Sequence, residues 1–280
     1  MTGRGYIGRI CLLAALCAAT AACTTSPVGN RARVVDVPLA ATHADLMFTV
    51  TTGSRQSFEC LGSKCPKTPG NGISPVFALQ VQRVSRRLQA GAQNLYPDLV
   101  QRVPGMSGSH FDIYIAESDE PGSASSANGR IAVSSVLATW QPSDDWLAFL
   151  IAREMGHVIA RHPEENSVAN MATSMLMNLV LPGSFWVKSA ISAGGGQLAS
   201  SSQRDVQEEE ADTIALDLLK ASGYRSRNVA TALRKKTPAL DDSRWSKSFR
   251  RSSEFAIAES HGKTESRGKK MTVAAISRKP

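Results

Sequence analysis

The sequence predicts an α+β fold, mostly helical, with a small sheet. Three observations carry this. Apolar residues recur at helical spacing in long segments, whereas only two short runs alternate as strands do. The order in which these segments follow one another mixes helices and strands without a repeating βαβ rhythm. At 42% apolar and 20% charged over 280 residues, the composition is that of a globular chain able to bury a real core. No unbroken apolar stretch of about twenty residues exists, which excludes a polytopic membrane protein.

The chain opens with Arg4 and Arg9, followed by the apolar run Ile10 to Ala22, which ends in small residues before Cys23. This run is short for a bilayer span and has the form of an export signal. Small residues directly before a cysteine resemble a bacterial lipobox, with Cys23 as the lipidated first residue of the mature protein. Thr20, three positions before the cysteine, is weaker than the usual Leu, and plain secretion is the alternative. Thr24, where an inner-membrane protein would carry Asp, resembles outer-membrane sorting. The expected location is the periplasmic side of the bacterial outer membrane, with a lipid anchor as the membrane partner.

Residues 24–73 read as a loop-rich N-terminal extension with two short β-like runs, Val34–Val37 and Leu46–Thr51. Cys60 and Cys65 sit five apart in a Gly/Lys/Pro-rich loop. In an oxidising compartment that pattern reads as a small disulfide, and zinc is the weaker reading because no partner ligand is near. Ser74 is placed to cap a helix with Pro75 at its first position and an inward stripe of Phe77, Val81, Val84 and Leu88. Phe111 to Ala116 alternates like a half-buried strand, and Gly129 to Ser134 is a second. Ser143 opens a long helix that runs to about His162. Residues 167–203 carry one charge, Lys188, and Pro182-Gly183 divides them into two amphiphilic pieces, expected as a helical hairpin against the domain or lipid. A further helix runs from about Asp205 to Ser222 and stops at Gly223.

The net charge of +8 is local. Arg225 to Pro280 holds 15 basic and 5 acidic residues, so the rest of the chain is slightly acidic. The surplus reads as a solvated end of the chain, with residues 271–280 a basic tail, and the export signal disfavours nucleic acid as a partner.

The chemistry concentrates in Ala152-Arg153-Glu154-Met155-Gly156-His157-Val158-Ile159-Ala160-Arg161-His162. Glu154 and His157, three apart, share a helix face. Downstream, Glu208-Glu209-Glu210-Ala211-Asp212 sets a dense acidic cluster on a second helix. In zinc endopeptidases, H-E-x-x-H places two imidazoles one turn apart on the metal, the Glu activates water, and a third ligand comes from elsewhere.

These strings resemble peptidase family M48, the zinc metalloendopeptidases that include HtpX and the CAAX prenyl protease. There the metal helix reads A-H-E-x-x-H-V-x-A-R-H and the third ligand is the first Glu of E-x-E-A-D, which matches Glu208, with Asp212 as the closing Asp. Phe111 to Ser134 is similar without gaps to the family's S-D-E-P-N-A-F-A-x-x-G-G-x-I-x-V, and Ser260 to Arg267 resembles its H-P-x-x-x-x-R. The resemblance covers about residues 75–270 and implies a zincin-like domain over residues 74–270. It implies Glu154 as catalytic base, His157 and Glu208 as zinc ligands, and His261, Arg267 and Asp212 as accessory residues. It also implies that extended substrate lies along the strand at Gly129, Ile131 and Val133.

The chain departs from that pattern where it matters most. Arg153 stands where the family has its first metal histidine, and a guanidinium has no lone pair to offer a metal. Gly122, Ser123 and Ala124 replace Asn-Ala-Phe, and Asn128 replaces a Gly. His162, about 140° around the helix from His157, is expected at the surface or in a cap; His43 and His110 belong to no motif. The reading is therefore an envelope protein of protein quality control or processing, its catalysis lost or weakened and without a cofactor. The alternative is an active zinc-dependent endopeptidase with one borrowed ligand. In either case the expected partners are unfolded or unassembled envelope proteins.

Overall fold

The computed structural model describes residues 23–28, 31–34, 39–52, 55–56, 74–103, 105–106, 108, 110–169, 201–237 and 240–260. The export signal, Cys60 and Cys65, most of the 167–203 insert, His261, Arg267 and the basic tail lie outside the described residues.

Near its start the chain forms a hairpin of β1 (Cys23–Thr25) and β2 (Ala32–Val34), with Cys23 paired opposite Val34. Helix α1 (Ala40–Thr52) follows. It includes Leu46–Thr51, which sequence patterning reads as β-like. Tertiary packing overrides the β-branched content here: Phe48 is buried against Tyr114, and Arg130 bonds Asp45 on the same helix. After β3 (Arg55–Gln56), α2 (Pro75–Leu95) begins as its sequence requires: the Ser74 Oγ accepts from the Phe77 N–H at 3.4 Å, and Phe77, Val81, Val84 and Leu88 are all buried. The short α3 (Leu99–Arg102) leads into the sheet.

β4 (Asp112–Ala116), β5 (Ser123–Ser125) and β6 (Arg130–Ser134) join β3 in a four-stranded sheet of order β3-β4-β6-β5. β4 and β6 are parallel, and β5 runs antiparallel to β6. Alternation along the strands sends Ile113, Ile115, Ile131 and Val133 to the main core, and Tyr114, Ala116 and Ala132 to a second cluster under α1. β4 is thus covered on both faces and not half-buried, because α1 supplies the second cover.

A 3₁₀ turn (Ser135–Trp140) precedes α4 (Asp144–Ile159), capped by Ser143 and carrying Asp144 and Asp145 in its first turn, where the helix dipole favours them. α4 is the axis of the domain, with Trp146, Phe149, Leu150, Ile151 and Met155 fully enclosed. It stops at Ile159, three residues short of the sequence expectation. Arg161 takes φ 60, a left-handed conformation that ends the helix, and a new helical segment, α5 (162–169), follows.

α6 (Ser201–Ala221) crosses α4 in the most extensive helix contact among the described residues. A Cβ on Gly156 would stand 2.5 Å from the Ala211 carbonyl oxygen, so only glycine permits this approach. Gly223, at φ 74, closes α6 as its sequence foretells. The basic stretch beyond it is not a solvated end over residues 226–260: α7 (Ser226–Lys236) and α8 (Arg244–Glu259) pack on the domain, burying Val229, Leu233 and Phe249. Their basic side chains occupy the outer faces while the inner stripes join the core.

Among the described residues no helix is long and apolar enough to cross a membrane.

Candidate functional site

α4 and α6 face each other across the floor of a cleft of about 620 Å³, walled on one side by β5 and on the other by the start of α8. The Gly156 contact sets how close the two helices come, and so how close their polar residues come. Arg153, Glu154 and His157 project from α4, and Glu208 and Asp212 from α6. Glu208 and Asp212 are four positions apart, which stacks them on one face.

Arg153 is buried at the centre. Its Nη2 forms an ion pair with Glu208, its Nε lies 3.4 Å from Asp212 Oδ1, and its Nη1 lies 3.5 Å from Glu154 Oε1. Two hydroxyls of α8 complete its shell: Ser248 accepts from Nη2 at 2.8 Å and Ser252 from Nε at 3.0 Å. Neither serine belongs to a sequence motif. The signal that could have revealed them is the periodic stripe Trp245, Phe249, Ser252, Ser253 and Ala256, hidden among four basic residues, Arg244, Lys247, Arg250 and Arg251. Burial pushes the Asp212 carboxyl up to about 6 although Arg153 and a hydrogen bond from Ser252 favour its ionised form.

Glu154 Oε1 also accepts from Ser123 Oγ at 2.7 Å, and Ser123 in turn accepts from the Trp245 indole N–H at 3.2 Å. Ser123 is one of the positions at which the chain departs from the family's strand sequence, so the departure installs a donor on Glu154.

His157 and His162 meet through their Nδ1 atoms at 2.9 Å. The break at Arg161 makes this possible, and it corrects the sequence expectation for His162: it is almost wholly buried. His162 Nε2 lies 3.2 Å from Glu210 Oε2. A carboxylate only accepts, so Nε2 of His162 carries the proton and its Nδ1 is the acceptor. His157 therefore donates from Nδ1, leaving its Nε2 lone pair 3.8 Å from Glu208. Burial, then the positive charge of Arg153, hold the His157 imidazole well below its usual range, so it is neutral at pH 7. Burial also lowers His162, against the opposing pull of Glu210.

The polar chain continues outward. Arg31, in the β1–β2 hairpin, grips Glu165 of α5 at 2.5 and 2.9 Å and Glu210 at 3.2 Å, and Gln207 bonds Glu165 at 2.9 Å.

The strand expected to border the cleft does so through a different member. Gly129, Ile131 and Val133 lie on or beside β6, whose two edges are both taken, by β4 and β5; an incoming chain cannot pair there. The edge turned to the cleft is that of β5. Ser126 N bonds Arg130 O and Ser134 N bonds Gly122 O, in phase with the Ala124–Ala132 pair. Alternation in an antiparallel ladder then turns the N–H and C=O of Ser123 and Ser125 outward.

The donor set does not fit a zinc ion. Arginine cannot ligate, its guanidinium takes up the Glu208 carboxylate, and among the described residues no three of His, Cys, Asp or Glu converge to hold a metal.

No curated protein matches the chain. A family model does: that of peptidase family M48 matches residues 87–274, the span that holds β4, β5 and β6 of the sheet together with α4, α6 and α8. With a mostly helical domain, a small sheet bordering the cleft, and two helices bringing Glu154, His157 and Glu208 together, the chain belongs to peptidase family M48, a metallopeptidase family that is in general zinc-dependent.

Proposed function

We propose that this protein uses a metallopeptidase-type domain to hold extended segments of unfolded or unassembled envelope proteins without cleaving them. The observation that carries the reading is Arg153. A fixed guanidinium paired with Glu208, Glu154 and Asp212 supplies the positive charge that a catalytic cation supplies in active relatives, and it repels a second one. Glu154, engaged by Ser123, has no metal-bound water to activate. Binding needs none of this. The outward N–H and C=O groups of Ser123 and Ser125 can accept an added strand through backbone hydrogen bonds alone. Cys23 is proposed to carry a lipid that places the protein on the periplasmic side of the outer membrane.

Two measurements decide. Protein purified without chelator is expected to carry well under one zinc per chain and to leave casein intact. Ser125→Pro removes one outward N–H from an edge strand, where proline is tolerated, and is expected to abolish binding of unfolded polypeptide while the fold persists. The second reading, an active zinc endopeptidase, is favoured by the unprotonated Nε2 of His157 facing Glu208. Stoichiometric zinc with casein cleavage lost in Glu154→Gln would establish it and sink the first. Mass spectrometry of the mature N-terminus tests the lipid at Cys23.

A further inference from the structure

The cleft at Arg153 does not end at β5. A second cavity of about 220 Å³ opens on the other side of the strand, and the two share Ser125, Pro163 and Asn166. Ala44, Met47 and Phe48 of α1 form one wall, Ala124 and Pro163 the other. No Asp, Glu, Lys or Arg lines it, whereas the first cavity is lined by Arg153, Glu154, Arg204, Glu208 and Arg244 among others. α1, which forms this wall, lies wholly upstream of residue 87, where the family match begins.

Helix α1 is firmly seated. Arg130 bonds Asp45 at 2.6 Å and Thr49 at 2.9 Å and lies 5.1 Å from the Phe48 ring centroid; His43 Nδ1 meets Ser167 Oγ at 2.6 Å. The wall is therefore in place before any ligand arrives. Met47 is 46% exposed at its mouth.

We propose that this second cavity is a side-chain subsite that selects a large apolar residue in a chain bound along β5. The proposal rests on the edge-strand reading above and adds its specificity. Side chains of an extended chain alternate between the two faces of a sheet. Ser123 turns its side chain to Glu154 on one face of β5, and Ala124 turns its own to Phe48 and Tyr114 on the other. A strand added beside β5 follows the same alternation, so one residue enters the apolar cavity while its two neighbours face the polar one. A cavity of about 150 Å³ holds a benzene ring, so about 220 Å³ accommodates a Leu, Met or Phe side chain. A charged side chain there would lose its water and find no Asp, Glu, Lys or Arg to pair with, only the His43 ring already engaged with Ser167, which makes the cavity selective. The bound sequence is thus of the kind that a folded envelope protein hides: alternating strand with an apolar face.

The test uses fluorescein-labelled ten-residue peptides of Ser and Thr, with a single central Leu, Phe, Ser or Asp, titrated by anisotropy against the mature protein. Leu and Phe peptides are expected to bind about tenfold more tightly than the Asp peptide, from the apolar surface they bury. Met47→Asp, at a position exposed enough to leave the fold intact, is expected to shrink that ratio to about twofold. Met47→Trp, which narrows the mouth, should reverse the order of Phe and Ser. Ser125→Pro should abolish binding of every peptide. If the peptides bind in a Ser125-dependent way and the central residue makes no difference, or the preference survives Met47→Asp, the subsite is overturned while the edge-strand reading stands. If none binds the wild type, both fall.

Discussion

At the scale of single residues, Arg153 carries the identity of the site. It is a buried cation among three carboxylates, and removing it leaves them without their neutralising charge. Arg153→Ala is expected to destabilise the domain by about 3 kcal/mol in urea unfolding, the usual cost of breaking one side of a buried pair. Arg153→Lys, keeping the charge and losing the fork, should fall between. Arg153→His should gain zinc affinity measurable by competition with a chromophoric chelator, because it removes the guanidinium and adds a lone pair. The two histidines give the site a pH dependence of defined sign. Both are held below their unfolded value near 6.5, so the native state binds fewer protons than the unfolded chain in acid. Their contribution is present above pH 6.5 and is lost as pH falls through that value, at up to about 1.4 kcal/mol per pH unit for each. Asp212, raised to about 6, works the other way between pH 6 and 4. Urea midpoints at pH 8, 6.5 and 5.5 should therefore fall toward acid, and the fall should lessen in His162→Gln.

At the scale of elements, the contact of α4 with α6 governs the site's width. Gly156→Ala places a methyl against the Ala211 carbonyl with no side chain to give way, and is expected to cost about 3 kcal/mol and to loosen the Arg153–Glu208 pair. The elements also explain what could be read in advance. α2, α4 and α6 are signalled by caps, stripes and a terminal glycine, all local chemistry. Glu154, His157 and Glu208 are legible because helical spacing and a motif suffice to bring them together. α1 was obscured because its β-branched residues are overruled by Phe48 docking on the sheet, a contact 66 residues away in sequence from Tyr114 and invisible locally. α8 was obscured because charge dominates its composition, although its inner stripe is regular. Ser248 and Ser252, which complete the shell of Arg153, were lost with it. The outward edge of β5 rather than β6 could not be read at all, because strand order is settled by packing.

At the scale of the whole molecule, a single polar chain runs from the β1–β2 hairpin through Arg31, Glu210 and His162 to His157. Arg31→Ala should raise hydrogen exchange in residues 23–34 and also in α5, and shift the His157 ring nitrogens in NMR spectra; a change confined to the hairpin would show that the chain transmits nothing. The hairpin also sets a dimension. Three residues, about 10 Å, lead from Arg31 to Val34. Cys23 stands opposite Val34, about 5 Å further across the ladder. If Cys23 carries the proposed acyl group, no long stalk separates it from the domain that Arg31 grips: the domain would ride close to the headgroups like a tool bolted to a bench. A client would have to come to the membrane plane to be met. Bulky folded neighbours would be turned away by the bilayer itself, and the slack, extended stretch of a chain still waiting to insert would be the shape that fits.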